Sequence, residues 1–333
     1  MNNNIDVIAE VGSVHDGSFN NAMKLVVLAS KVGANVVKFQ THIPHSESLK
    51  DAPNPSYFNN ETRFEYFKRT QFSLDQWKEI KSECDSHSIE FMSSPFSHDA
   101  VNMLESIGVK RYKIASGEVT NIPLIDFIAQ TNKPIILSSG MSNWKELDKA
   151  VETIRNYHND LSIMQCSSQY PCSYENVGLN IIDEIFERYN CPTGFSDHTS
   201  SNYASFAAAA LGVSLIEKHL TFSRDMYGSD APFATEPKNF KDLVIGVKSI
   251  ETMLNNAVNK NDLNLYIDMK EVFQKSIVSK CFLKKGSIIS IENLDYKKPG
   301  GGIEPKNVSE VVGKKLARDI NRDMIINYED LIK

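Results

Sequence analysis

The chain has 333 residues, of which 41% are hydrophobic and 23% charged, with 16 glycines, 12 prolines and a net charge of −6. That length allows one large domain, or one large and one small, and the composition excludes collagen-like, low-complexity and wholly disordered classes. The negative balance argues against general nucleic-acid binding, and no apolar run approaches the roughly 18–20 residues of a membrane span.

The polar start Met1–Asn4 leads straight into a strand-like run, so no secretory leader is expected. The five cysteines, Cys84, Cys166, Cys172, Cys191 and Cys281, are widely spaced and form no C-x-x-C pair, which reads as reduced thiols of a cytoplasmic protein. Short β-branched or apolar runs then recur at Ile5–Val11, Asn35–Gln40, Glu90–Ser93, Arg111–Ala115, Pro134–Ser138, Ser162–Cys166, Thr193–Ser196 and Ser214–His219. Between them lie segments of helical period, including Asn21–Val32, Leu74–His87, Asp99–Ile107, Asn143–His158 and Asn202–Leu211. Ser73 and Ser142 are placed to cap two of these, and Gly33, Gly108 and Gly212 each follow a helical run where a left-handed residue ends it. Eight strand–helix units in about 255 residues predict an α/β fold, a (β/α)8 TIM barrel. The rival, an open doubly wound sheet, usually has a Gly-rich phosphate loop after its first strand. Here that loop runs Glu10-Val11-Gly12-Ser13-Val14-His15-Asp16-Gly17, which is not G-x-G-x-x-G.

The alternation stops after Asn255. The predicted boundaries are a catalytic barrel over 1–258, a polar Asn-rich linker over 259–274, and a small β-rich domain over 275–333. In that last part, Lys285 with Ile288, Ile289 and Leu294 is echoed at identical spacing by Arg322 with Ile325, Ile326 and Leu331. It also holds 12 Lys+Arg against 8 Asp+Glu, a basic tail on an acidic body that would suit a lid over an anionic substrate.

In a barrel of this kind the chemistry sits where the strands end, because eight loops converge there over a packed core. The strand ends here carry Glu10, Lys38, Gln40, Ser93, Ser94, Lys113, Ser116, Ser138, Ser139, Gln165, Ser167, Ser168, Ser196, Asp197, His198, Glu217 and His219. Lys38 and Lys113 at inward parity, among serine hydroxyls, suit a phosphate or carboxylate. His198 and His219 on neighbouring strand ends, with Glu217 on the same face, suit an open divalent-metal site acting as a Lewis acid on a carbonyl. His15 could also approach the mouth, whereas His42, His45, His87, His98 and His158 read as ordinary. These groups fit joining a phosphorylated nucleophile to an aldehyde. They equally fit an aldolase using Lys113 or Lys38 as a Schiff base, and a non-catalytic sugar-binding protein remains the third reading.

Several segments together resemble the sialic acid synthase family: Ile8–Gly12 with His15–Gly17, Val37–His42, Ser93–Ser97, Tyr112–Glu118, Leu137–Met141, Tyr170-Pro171, Phe195–Thr199 and Glu217–His219. Lys297–Ile303 is similar to that family's C-terminal antifreeze-like (SAF) domain. The resemblance implies a domain-swapped homodimer and a phosphoenolpyruvate-dependent transferase. Its reaction would join phosphoenolpyruvate to an N-acyl mannosamine-type sugar, with phosphate released and Mn²⁺, or Mg²⁺ or Co²⁺, assisting. N-acetylmannosamine is the first acceptor implied, giving N-acetylneuraminate; a 2,4-diacetamido-2,4,6-trideoxy sugar giving a legionaminate-type acid is the alternative. Carried over by motif, His198 and His219 would hold the metal. Lys38, Ser94, Lys113, Ser116, Ser138 and Ser196 would hold phosphoenolpyruvate, while Gln40, Tyr170, Asp230 and Lys298 would meet the sugar. Glu10 or Glu217 would handle the proton. Four departures bear on the acceptor. Lys298 stands where many members have arginine, Val14 replaces a common asparagine, and Gln165 and Ser168 stand where some members have His and Asn. A fully antifreeze role is not implied, since residues 275–333 contain no threonine.

Overall fold

The structure is a computed structural model that describes residues 4–54 and 61–332. It divides into two compact units, Met1–Ala257 and Val258–Lys333. In the first, strands β1 (Asp6–Gly12), β2 (Val36–Thr41), β3 (Glu90–Pro95), β4 (Tyr112–Ile114), β5 (Ile135–Ser138), β6 (Leu161–Cys166), β7 (Thr193–Asp197) and β8 (Leu215–His219) close into a barrel in sequence order. Every neighbouring pair is parallel, and β8 closes on β1 with Glu217 beside Ile8 and His219 beside Glu10.

The helices are α1 (Phe19–Lys31), the short α2 (Pro44–Glu47) and α3 (Arg63–Thr70) inserted after β2, then α4 (Leu74–Ser86), α5 (His98–Ile107), α6 (Ile122–Ala129), α7 (Trp144–Arg155), α8 (Asn180–Tyr189), α9 (Tyr203–Ala210) and α10 (Pro237–Asn255). Ser73 caps α4 in a capping box with Gln76. For α7 the cap is Asn143, not Ser142 as expected, because the return bond needs an acceptor three residues on. Asn143 has Glu146 there, whereas Ser142 has Lys145, which cannot accept. Gly108 ends α5 in the left-handed conformation at φ 74°, a turn an L side chain resists.

Side chains of a strand alternate between faces, so each barrel strand feeds two cores. The outward residues, among them Val7, Ala9, Val37, Phe39, Phe91, Leu137, Ile163 and Phe195, pack under the helices. The inward residues Ile8, Val36, Met92, Ile136, Met164 and Leu215 form a separate apolar plug. Gly194 belongs to this layer, since a Cβ there would meet Met164 Cγ at 2.7 Å. That plug is the floor of the site.

In the second unit, helix α11 (Ile267–Phe273) lies in the stretch read from sequence as linker. Its residues are exposed rather than set on a core, so the apolar periodicity of a core-facing helix is missing. Strands β9 (Ser276–Ser279) and β10 (Leu294–Lys297) pair antiparallel, as do β11 (Lys315–Leu316) and β12 (Leu331–Ile332). The sequence echo has a structural counterpart. Both β10 and β12 follow a short 3₁₀ turn fixed by a capping box, Ser290 with Asn293 and Asn327 with Asp330. Ile289 and Ile326 are buried in the same core.

Candidate active site

Two residues beyond each floor residue lies the next inward side chain, and there the chemistry changes. Ile8 is followed by Glu10, Val36 by Lys38, Met92 by Ser94, Ile136 by Ser138, Met164 by Cys166, Gly194 by Ser196 and Leu215 by Glu217. With Lys113 from β4, these groups line a cavity of about 330 Å³. Gln40, Ser116, Tyr170, His198 and His219 line it as well.

Charge in this cavity is tightly organised. Lys113 Nζ donates to both oxygens of Glu217, at 3.1 and 3.0 Å. Lys38 Nζ lies 2.9 Å from Glu10 Oε2 and 3.5 Å from Glu217 Oε1, joining the two carboxylates. Ser196 Oγ also donates to Glu217 Oε1, at 3.2 Å. Burial pushes the Glu217 carboxyl up, but the Lys113 and Lys38 charges outweigh it and hold it at about 2. Burial pushes Lys38 down, and its two carboxylate partners more than reverse that. Lys113 falls instead, because burial and the neighbouring Lys38 charge together exceed the pull of Glu217. The site thus holds two cations and two anions on an apolar floor. Ser94 Oγ is buried with no protein partner, an unmet donor facing the ligand space.

The two histidines stand beside this cluster, with ring centroids 5.7 Å apart. His198 Nδ1 donates to the Ser167 carbonyl at 2.8 Å, and its Nε2 has a long contact with Ser196 Oγ, at 3.5 Å. His219 Nδ1 is buried and has no hydrogen-bond partner. One unpartnered ring nitrogen and one held only by a long contact fit a divalent ion whose shell is completed by substrate or water. Among the described residues no group of three or more His, Cys, Asp or Glu is placed to hold a metal. The loop holding His198 is braced by a buried pair, Lys218 Nζ at 2.9 Å from Asp197 Oδ2, with Lys218 also donating to the Thr199 and Ser201 carbonyls.

Tyr170 covers the histidines, its ring centroid 4.2 Å from that of His198. Asp230 lies in an adjoining cavity of about 130 Å³, shared with Gln40, Tyr170 and His219. There it accepts from the Ser13 backbone N–H at 2.8 Å. Lys298 belongs to the second unit, where its ammonium sits 4.9 Å from the Phe273 ring centroid. His15 turns inward onto Phe72, at 4.5 Å between centroids, and lines neither cavity. Gln165 is likewise absent from the lining. It is buried, accepts from Ser139 Oγ at 2.9 Å and donates to the Val177 carbonyl at 3.1 Å, tying the loop that carries Tyr170 to the end of β5. Gly178 makes room for it, since a Cβ there would meet Gln165 Nε2 at 2.8 Å.

Sequence reasoning missed His42, Arg63, Phe67 and Phe96, all of which line the main cavity. For His42 a signal was present. It continues the inward alternation Lys38, Gln40, His42 one step past the strand. Arg63 and Phe67 come from α3, in the connection between β2 and α4, and no local pattern aims that connection at the mouth.

Residues 25–259 match the NeuB family, and residues 274–332 match the SAF domain. The N,N'-diacetyllegionaminic acid synthase of Legionella pneumophila is 32% identical, over 98% of this chain and 94% of its own. The pseudaminic acid synthase of Campylobacter jejuni is 31% identical, over 94% and 93%. The crystal structure of the N-acetylneuraminic acid synthetase of Leptospira borgpetersenii superposes with a TM-score of 0.71 at 28% identity, covering 81% of this chain and 91% of that one. No helix among the described residues is long and apolar enough to cross a membrane. By the family match and by relatives that align along nearly their whole length, the chain belongs to the NeuB family of synthases and carries a SAF domain at its C-terminal end.

Proposed function

We propose that this enzyme condenses phosphoenolpyruvate with an N-acyl mannosamine-type sugar to give a nonulosonic acid and inorganic phosphate. The observation that carries the reading is one cavity that holds Lys38, Lys113 and the unpartnered Ser94 hydroxyl together with His198 and His219. The cationic side suits a phosphate and a carboxylate, with Ser116, Ser138 and Ser196 as further donors. A divalent ion such as Mn²⁺, held by His198 and His219, would supply Lewis acidity toward the acceptor's aldehyde.

In this reading C3 of the enol ester forms the new bond to the aldehyde carbon, water adds at C2, and the C2–O bond to phosphate breaks. Glu217 already receives Lys113 on both oxygens, Ser196 and Lys38, so its lone pairs are spent on holding the two cations in place. Glu10 receives Gln40 on one oxygen and Lys38 on the other. It keeps acceptor capacity for the proton released by the attacking water, and is the general base here. Gln40, Tyr170 and Asp230 border the space left for the sugar.

For the acceptor, the reading is a 2,4-diacetamido-2,4,6-trideoxy sugar, in line with the Legionella pneumophila relative named for N,N'-diacetyllegionaminic acid, 32% identical over 98% of this chain. The apolar rim of Phe67, Phe96 and Met141 suits a 6-deoxy methyl group. N-acetylmannosamine is the second reading. A homodimer accords with the exposed apolar residues Leu265, Ile267, Met269, Val272 and Phe273 of the second unit, a surface that a partner subunit would cover. Five free thiols accord with a cytoplasmic setting.

The test is phosphate release from phosphoenolpyruvate and Mn²⁺ on adding each acceptor in turn, with a chelated control. Release with the diacetamido sugar, abolished by chelation, is the expected result. Release with N-acetylmannosamine alone selects the second acceptor, and release that survives chelation overturns the metal assignment. A keto-acid trapped on Lys113 or Lys38 by borohydride would instead establish the Schiff-base reaction.

A further inference from the structure

His42 makes a set of contacts that a surface histidine does not. Its ring lies between Phe67 and Phe96, with centroids 3.7 and 4.2 Å away and planes inclined by 20° and 12°. Both ring nitrogens are engaged at the edges of that stack. Nδ1 faces Glu47 Oε1 at 2.7 Å, and Nε2 faces Gln40 Oε1 at 3.2 Å. Glu47 is buried in turn and accepts from the Ile43 backbone N–H through its other oxygen, at 3.1 Å.

The direction of each hydrogen bond in this chain is forced by its ends. Glu10 is ion-paired to Lys38 and so faces Gln40 as a carboxylate, which can only accept. The Gln40 amide must therefore turn its NH₂ toward Glu10, and Nε2 donates to Glu10 Oε1 at 2.8 Å. That leaves the amide oxygen toward His42, so Nε2 of the ring must carry a proton. Glu47 at the other edge holds the ring in its plane through Nδ1. The other titratable groups nearby are Glu118, which follows β4 and feels both His42 and Arg63, and His15 after β1.

We propose that His42, held between Phe67 and Phe96 and anchored by Glu47, is the positioning residue that braces the Gln40 amide through its Nε2–H and thereby aims the Glu10 carboxylate. The catalytic consequence rests on the reading of Glu10 given above; the tautomer of the ring does not. Without that N–H the Gln40 oxygen has no ring donor behind it, and the amide is free to swing away from Glu10. The dyad from the connection after β2 thus holds the amide in the orientation that the Glu10 charge demands.

Two measurements test this. In protein labelled with ¹⁵N-histidine at pH 7, the His42 ring, assigned by comparison with His42→Asn, is expected to show a protonated Nε2. An unprotonated Nε2 overturns the proposal, and this readout needs neither a variant's activity nor the substrate. In the double variant His42→Phe with Glu47→Leu, which keeps a stacked ring and leaves no unpaired carboxylate, kcat is expected to fall roughly tenfold with the KM for phosphoenolpyruvate unchanged. An unchanged kcat in that variant overturns the positioning role. If the unaltered enzyme shows no synthase activity while its His42 Nε2 carries a proton, it is the proposed reaction that fails.

Discussion

Lys113 and Glu217, 104 residues apart in the chain, meet inside the barrel with the lysine Nζ donating to both carboxylate oxygens. Both are almost fully buried, at 2% and 5% exposure, so neither charge has water to fall back on. Such a pair is costly to assemble and more costly to break singly, because the survivor is left buried and uncompensated.

Glu217→Gln and Lys113→Met are each expected to lower stability by about 3–5 kcal/mol in urea unfolding of the barrel. The double variant Lys113→Met with Glu217→Gln should recover much of that, because neither charge then remains alone. Losses that simply add in the double variant would show that the two groups are not energetically coupled. Either single change should also reduce phosphate release by on the order of 10²-fold or more.

Ser94→Ala should move stability and binding in opposite directions. The Ser94 hydroxyl is buried without a partner, so removing it should stabilise the ligand-free protein by about 1 kcal/mol. The same change deletes a donor proposed to reach phosphoenolpyruvate, and its KM should rise about tenfold. Melting temperature and KM measured on one preparation decide it. A destabilised variant with normal KM would place the hydroxyl in the protein's own network.

His15 gives the barrel a dependence on acid. Burial drives its pKa down from 6.5 to about 4, offset in part by Asp230 and reinforced by His42. Its Nδ1 accepts from the Gly17 backbone N–H at 3.1 Å, which requires the unprotonated nitrogen. The folded form therefore resists the proton that the unfolded chain takes up below 6.5. Stability is unaffected by this group above 6.5, falls as pH drops from 6.5 to 4, and levels off below. The full loss is about 3.4 kcal/mol. His15→Gln keeps an acceptor without titrating, so the difference in unfolding free energy between pH 7 and pH 4.5 should shrink by about 2–3 kcal/mol in the variant. An identical pH dependence in both proteins would remove His15 from the account.

Gln165, suspected from its position of choosing the acceptor, is a clamp instead. Gln165→Leu leaves the Ser139 hydroxyl and the Val177 carbonyl without partners and should cost about 1–3 kcal/mol. Loosening the loop that carries Tyr170 should raise the KM of every acceptor by a similar factor, roughly threefold to tenfold, with the KM for phosphoenolpyruvate unchanged. A change in the ranking of acceptors would instead mean that Gln165 meets the sugar.

The barrel was legible because its signals are local. Strand period, helix caps such as Ser73 with Gln76, and the glycines that follow α1, α5 and α9 all act within a few residues. The floor and the site were legible for the same reason. Once a strand is recognised, a two-residue step carries Val36 to Lys38 or Leu215 to Glu217, and the fold rule says which end matters. Motif resemblance supplied the family in the same local way.

What the tertiary structure alone decided is who faces whom. That Lys113 and Lys38 share Glu217, rather than leaving it to handle the proton, follows from closure of β8 on β1 and from side-chain lengths across the barrel. That His42 is stacked between Phe67 and Phe96, and that Gln165 points away from the cavity, depends on how two long connections pack over the strand ends. These contacts join residues far apart in sequence, and no periodicity within a segment encodes them. Sequence therefore determined which residues reach the strand ends, and packing decided which of them act on a ligand and which hold the others in place.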